Sequence, residues 1–259
     1  MDPVSSGTAA FHPLPPYETS ALRLESQCPF SVPELTAKID PLQTFLLQVN
    51  FLRCPEGAMS EDLRKNLIAL AEKDRLTRKR LIAEGALFEG YHPEMQALHE
   101  SNADRLAEII PTYGWPTSEI VGPDGAEAAW LIVQHAISRP AFQKACLTHL
   151  QEAADAGSAP PWQPAMLLDR IRMFEGLPQI YGTQFDWDDA GEMSPVPIQD
   201  PVSVDDRRAK IGLPSLKESL TKYRARLRPE NRPTDLARHA AERQEWLVKA
   251  GWRSSPSDR

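Results

Sequence analysis

Imidazole, guanidinium, amide and phenol groups gather in three short stretches of this sequence, and their spacing is the first guide to what the chain could do. His135 falls three and four residues after Ile132 and Leu131. It therefore points toward the same packed surface while sitting in the last turn of an apolar helix. A helix C-terminus favours imidazolium by about 0.3–1 kcal/mol, whereas a dry site favours the neutral ring more strongly. In a dry setting His135 is a neutral general base. The carboxylate assigned to orient it is Asp169. Arg170 and Arg172 can bind an anionic group, and Gln134, Tyr181, Thr183 and Gln184 can supply neutral hydrogen bonds. His99, Asn102 and Arg105 lie three residues apart, a spacing that lines them along one edge of a helix as a facing wall. No set of metal ligands is assigned, and the cofactor stays unknown. The sequence carries no phosphate-binding glycine loop, no His-Glu-x-x-His and no nucleophile elbow.

Two chemistries are compatible with this constellation. One is a hydrolase or group transferase acting on a small polar or anionic substrate, with His135 as base and Asp169 beside it. The other is a non-catalytic binding or interaction module, in which the same polar groups fix helix geometry. A delivered effector is a variant of the second, with the N-terminal arm as the address.

The elements that must position these groups are helices. Residues 126–137 are apolar on every side, so other elements must surround them. Around this centre the periodicity predicts helices over Pro41–Leu52, from Ser60 to Gly85, over Pro93–Ile110, from Pro140 to Gly157 and over Pro164–Glu175. Shorter helices are expected from Ser203 to Gly212, over Ser215–Leu227 and from Thr234 to Gly251. Pro111 is expected to end the third of these, and Pro123-Asp124-Gly125 reads as a turn. Strand formers from Gln179 to Trp187 and again from Met193 to Ile198 predict one β-hairpin, near 179–198, with Pro195 and Pro197 on an edge. The basic run of Lys73, Arg75, Arg78, Lys79 and Arg80 reads as a solvated helix face. The fold class is mainly α, a multi-helix bundle with one β-hairpin packed on it. Three segments follow: a proline-rich arm over 1–40, one helical domain over 41–228, and a C-terminal helical appendage over 229–259.

Composition limits the rest. The 24 prolines in 259 residues argue for irregular connections, and the net charge of −7 argues against a nucleic-acid partner. No window is long and apolar enough for a membrane span. Cys28, Cys54 and Cys146 are an odd, unpaired set, which suits reduced thiols better than a disulfide framework or a zinc site. A cytoplasmic location is expected, with export as an effector left open, and nothing indicates the oligomeric state.

Gly114-Trp115-Pro116, the run from Trp130 to Ala136, Pro140-Ala141-Phe142-Gln143, Asp169-Arg170 and the run from Gln179 to Phe185 occur in a fixed order. With Asp205, Arg207-Arg208 and Gly212-Leu213 they resemble a bacterial domain family of unknown function, over roughly residues 95–215. The resemblance implies no activity. In that pattern an acidic residue often follows His-Ala. Here the position is Ile137, so a carboxylate for His135 must come from elsewhere in the chain.

Overall fold

The computed structural model describes residues 60–86, 91–227 and 232–255. The expected arm over 1–40 and the helix over Pro41–Leu52 lie outside them. Eight helices and one hairpin are present among the described residues: α1 Glu61–Ala83, α2 Pro93–Tyr113, α3 Ser118–His135, α4 Pro140–Asp155, α5 Trp162–Glu175, β1 Phe185–Trp187, β2 Met193–Pro195, α6 Val204–Lys210, α7 Leu216–Arg224 and α8 Leu236–Lys249. The fold is mainly α, as the periodicity predicts.

α3 is the centre. Ala128 to His135 are all buried, and α1, α2 and α4 pack around them. Burying each large aliphatic side chain contributes about 1.5–3 kcal/mol, so the apolar part of this run, Ala128 to Val133, holds the bundle together. Its beginning differs from expectation. Pro123-Asp124-Gly125 is helical, and the break lies one residue earlier, at Gly122 with φ 71° and ψ 166°. Proline suits a first helical turn, so the glycine redirects the chain and Pro123 restarts the helix. α2 likewise runs through Pro111 to Tyr113. It closes at Gly114, whose amide donates to the Ile110 carbonyl.

α1 meets α3 along Leu67, Ala71 and Asp74, and Leu81 on the same stripe packs beside Met95 of α2; these buried positions recur at intervals of three, four and seven. α2 lies against both through Leu98, His99, Asn102 and Leu106, and Asn102 Nδ2 donates to the Leu70 carbonyl at 3.3 Å. Gln143 of α4 donates to the Val133 carbonyl at 2.7 Å, tying that helix to the last turn of α3. α8 docks through Leu247 and Trp252, and the Trp252 indole donates to the Ile137 carbonyl at 2.7 Å.

The hairpin is shorter than its strand formers suggest. Pairing covers Phe185–Trp187 with Met193–Pro195, Phe185 opposite Pro195. Residues 180–183 form a loop instead, because their amides donate to Asp169 and not to a partner strand. No helix among the described residues is long and apolar enough to cross a membrane.

Candidate functional site

Where α1, α2 and the end of α3 converge, three buried polar side chains meet. Asp74 is 1% exposed, His99 2% and His135 4%. His135 Nδ1 donates to Asp74 Oδ2 at 2.7 Å. His99 Nε2 lies 3.1 Å from that same oxygen, yet without the alignment of a hydrogen bond, and the second oxygen, Oδ1, has no hydrogen-bond partner among the described residues. The two imidazole centroids are 4.9 Å apart. Tyr91 completes the group: its hydroxyl is 2.7 Å from His99 Nδ1, and its ring stacks on the His99 ring.

The charges follow from these contacts. Burial resists ionisation of Asp74, but the His135 and His99 contacts outweigh it and hold its carboxyl well below the usual range. Burial pushes His135 the other way, below its ordinary value, against the pull of Asp74. Of the two effects weighed on this ring, desolvation beats the helix terminus. At neutral pH the pair is carboxylate and neutral imidazole, so the proton sits on Nδ1 and the lone pair on Nε2. Arg78, one turn beyond Asp74 on α1, is half-buried and its pKa is lowered by burial, with the Asp74 charge opposing that shift. Burial likewise raises the Tyr91 phenol far above its usual range, so it is neutral.

Asp74, and not Asp169, is the carboxylate beside His135. Asp169 accepts from the amides of Ile180, Tyr181 and Thr183 and from the Thr183 hydroxyl, at 2.6 to 3.1 Å. With both oxygens engaged by that loop, it has none left to orient an imidazole. Arg170 donates to the Gln134 carbonyl at 2.6 Å and to Gln184 Oε1 at 3.3 Å, and burial lowers its pKa to about 10. Gln184 Nε2 reaches Thr183 Oγ1 at 3.0 Å. Thus Asp169, Arg170, Tyr181, Thr183 and Gln184 form a second network that clamps the loop before the hairpin. It reaches toward the first through the backbone of Gln134, the neighbour of His135; the Gln134 side-chain nitrogen is buried without a hydrogen-bond partner among the described residues.

The remaining assignments scatter. Arg172 donates to the Pro178 carbonyl and Gln199, fixing the exit of α5. Arg105 is exposed and pairs with Glu108. Asn102 is a helix-to-helix tie, so of the expected facing wall His99 alone reaches His135. Arg207 and Arg208 close over the hairpin loop, donating to the carbonyls of Ile180, Tyr181 and Gly182.

The chain matches the model of a family of unknown function, DUF6624, over residues 61–225, more than half its length. It belongs to that family. No curated protein and no solved structure matches it. The match begins with α1, upstream of the resemblance read from the motifs, and so takes in Asp74.

Asp74, Arg78 and Tyr91 are absent from the constellation read from sequence. A signal for Asp74 existed: it continues the Leu67, Ala71, Leu81 stripe at spacings of four, three and seven. A charge on an apolar stripe needs a buried partner. The surrounding basic run hid it. Tyr91 carries no such periodic signal.

Proposed function

We propose that this protein is an enzyme, a hydrolase or group transferase acting on a small polar or anionic substrate, with Asp74, His99 and His135 as its reactive centre. The observation that carries the reading is the buried carboxylate shared by two imidazoles, one of its oxygens left unpaired. Asp74 fixes the His135 tautomer and stabilises the imidazolium formed when that ring takes a proton. In hydrolysis, water bonds to the electrophilic centre as its proton passes to His135 Nε2, and that proton then leaves with the departing group. Arg78 supplies positive charge for an anionic substrate. A binding module in which the cluster is purely structural is the competing reading, and the partnerless Asp74 oxygen argues against it.

A thermal-shift screen of metabolites and nucleotides against wild type and His135→Ala tests the proposal. A true ligand at about 100 times its dissociation constant stabilises by about 2.7 kcal/mol. The expected result is a hit that disappears in His135→Ala and is turned over only by wild type. Hits that persist in the variant, or a variant that merely melts lower with no hit in wild type, would remove the enzyme reading.

A further inference from the structure

The geometry points to a metal site: we infer that Asp74, His99 and His135 together bind one divalent first-row transition ion, Zn2+ being the best match to two imidazoles and a carboxylate. This rests on the same centre as the enzyme reading and gives it a different proton acceptor, since hydroxide on the ion would then serve where His135 Nε2 serves without it.

The three ligand atoms lie within 4.8 Å of one another, and all three residues are buried. Ligands around tetrahedral zinc sit about 2.0–2.1 Å from the ion and hence about 3.3 Å from each other. The Asp74 Oδ2 contacts with His135 Nδ1 and His99 Nε2, 2.7 and 3.1 Å, need widen by about 0.6 and 0.2 Å to reach that spacing.

The bonding of two atoms indicates a ligand. Among the described residues buried Asp74 Oδ1 has no hydrogen-bond partner, and His99 Nε2 approaches Asp74 Oδ2 at 3.1 Å without forming a hydrogen bond. A purely structural cluster would saturate both oxygens, as the Asp169 loop does. When His99 Nδ1–H donates to the Tyr91 hydroxyl, the Nε2 lone pair faces Asp74 Oδ2, an arrangement that a cation between them makes favourable. A hydrogen bond to the far nitrogen is the usual device for orienting a metal-bound histidine. The Arg78 guanidinium opposes a bare dication here, so the site favours an anionic fourth ligand, hydroxide or a substrate anion, that Arg78 can pair.

The test is calorimetric titration of the chelator-stripped full chain with Zn2+ and with Co2+, whose visible absorption reports its donors. One ion per chain is expected. Binding at that stoichiometry should vanish in His99→Gln and His135→Gln, persist in His149→Ala, which removes a partly exposed histidine of α4 outside the cluster, and weaken about 10- to 100-fold in Tyr91→Phe, which keeps the ring stack and loses the hydroxyl. A folded wild type that binds neither ion at one per chain, or a Tyr91→Phe affinity equal to wild type, overturns the site. The two readings fail separately. An ion bound once with no hit in the ligand screen leaves the metal site and removes the enzyme. A His135-dependent ligand on a stripped chain that binds no ion does the reverse.

Discussion

Two buried aspartates sit in this bundle under opposite regimes. Asp169 meets four neutral donors from one loop, and its burial still raises the carboxyl above the ordinary range. It is held as a set of acceptors that shapes a chain segment. Asp74 meets two imidazoles from neighbouring helices, and its carboxyl is pulled down despite burial. It is held as a charge, with one oxygen idle. Saturation by backbone holds a loop in place; the shared and incompletely used carboxylate is the one on which the proposed chemistry rests.

The largest expected effect tests the first half of that contrast. Asp169→Asn turns an amide N–H toward amide donors of the 180–183 loop and leaves buried donors unpaired, at about 1–3 kcal/mol each, non-additively. Chemical denaturation should show a loss of about 3 kcal/mol or more, and a loss under about 1 would mean the loop is not clamped this way. Next comes Gly182→Ala in the same loop. Gly182 has φ 63°, and a Cβ there would come within 2.8 Å of Ile198 Cδ1 and 3.0 Å of Leu216 Cδ1. Strain plus displacement should cost about 2 kcal/mol by the same measurement.

The second half of the contrast predicts less stability and more function. Asp74→Asn keeps an oxygen for His135 Nδ1–H and sets its NH2 where no partner is displaced. The exchange of a charged for a neutral acceptor should cost about 1 to 2 kcal/mol. Ligand hits and stoichiometric Zn2+ binding should nevertheless be lost. Equal stability losses for the two Asn variants, with binding retained in Asp74→Asn, would erase the distinction.

How each aspartate reads from sequence follows from where its partners lie. The bundle itself was legible, because burial of α3 on all sides leaves a continuous apolar run and the amphipathic helices leave periodic ones. His135 was placed on the packed surface for the same reason. Its carboxylate was not found, since Asp74 is 61 residues away and periodicity within one helix says nothing of which helix faces it. Asp169 looked equally suitable because the sequence shows an acidic residue on an apolar helix, not the loop amides that occupy it. The strand formers 180–183 misled for a related cause, although Gln179 and Gln184 at either end do pair with the return segment: β propensity reports a preference for extended backbone, and here that backbone wraps a carboxylate.

A third carboxylate extends the comparison to the rim, with the smallest effect. Asp186 on β1 pairs with Arg243 and lies 3.9 Å from His239, both on α8. Burial opposes its ionisation, but His239 and then Arg243 prevail and its carboxyl is lowered. A depressed folded pKa means the contribution to stability is complete above the unfolded value near 3.9 and is lost as pH falls through the folded one. Because the pair is partly exposed, solvent screening limits it to about 1 kcal/mol. Hydrogen exchange of α8 should therefore accelerate relative to α3 as pH is lowered below about 4, after correction for the intrinsic rates, and Arg243→Gln should shrink that acid-specific difference. If α8 and α3 instead loosen together, this rim carboxylate is coupled to the core, and the division between local clamps and a central charge does not hold at the C-terminal helix.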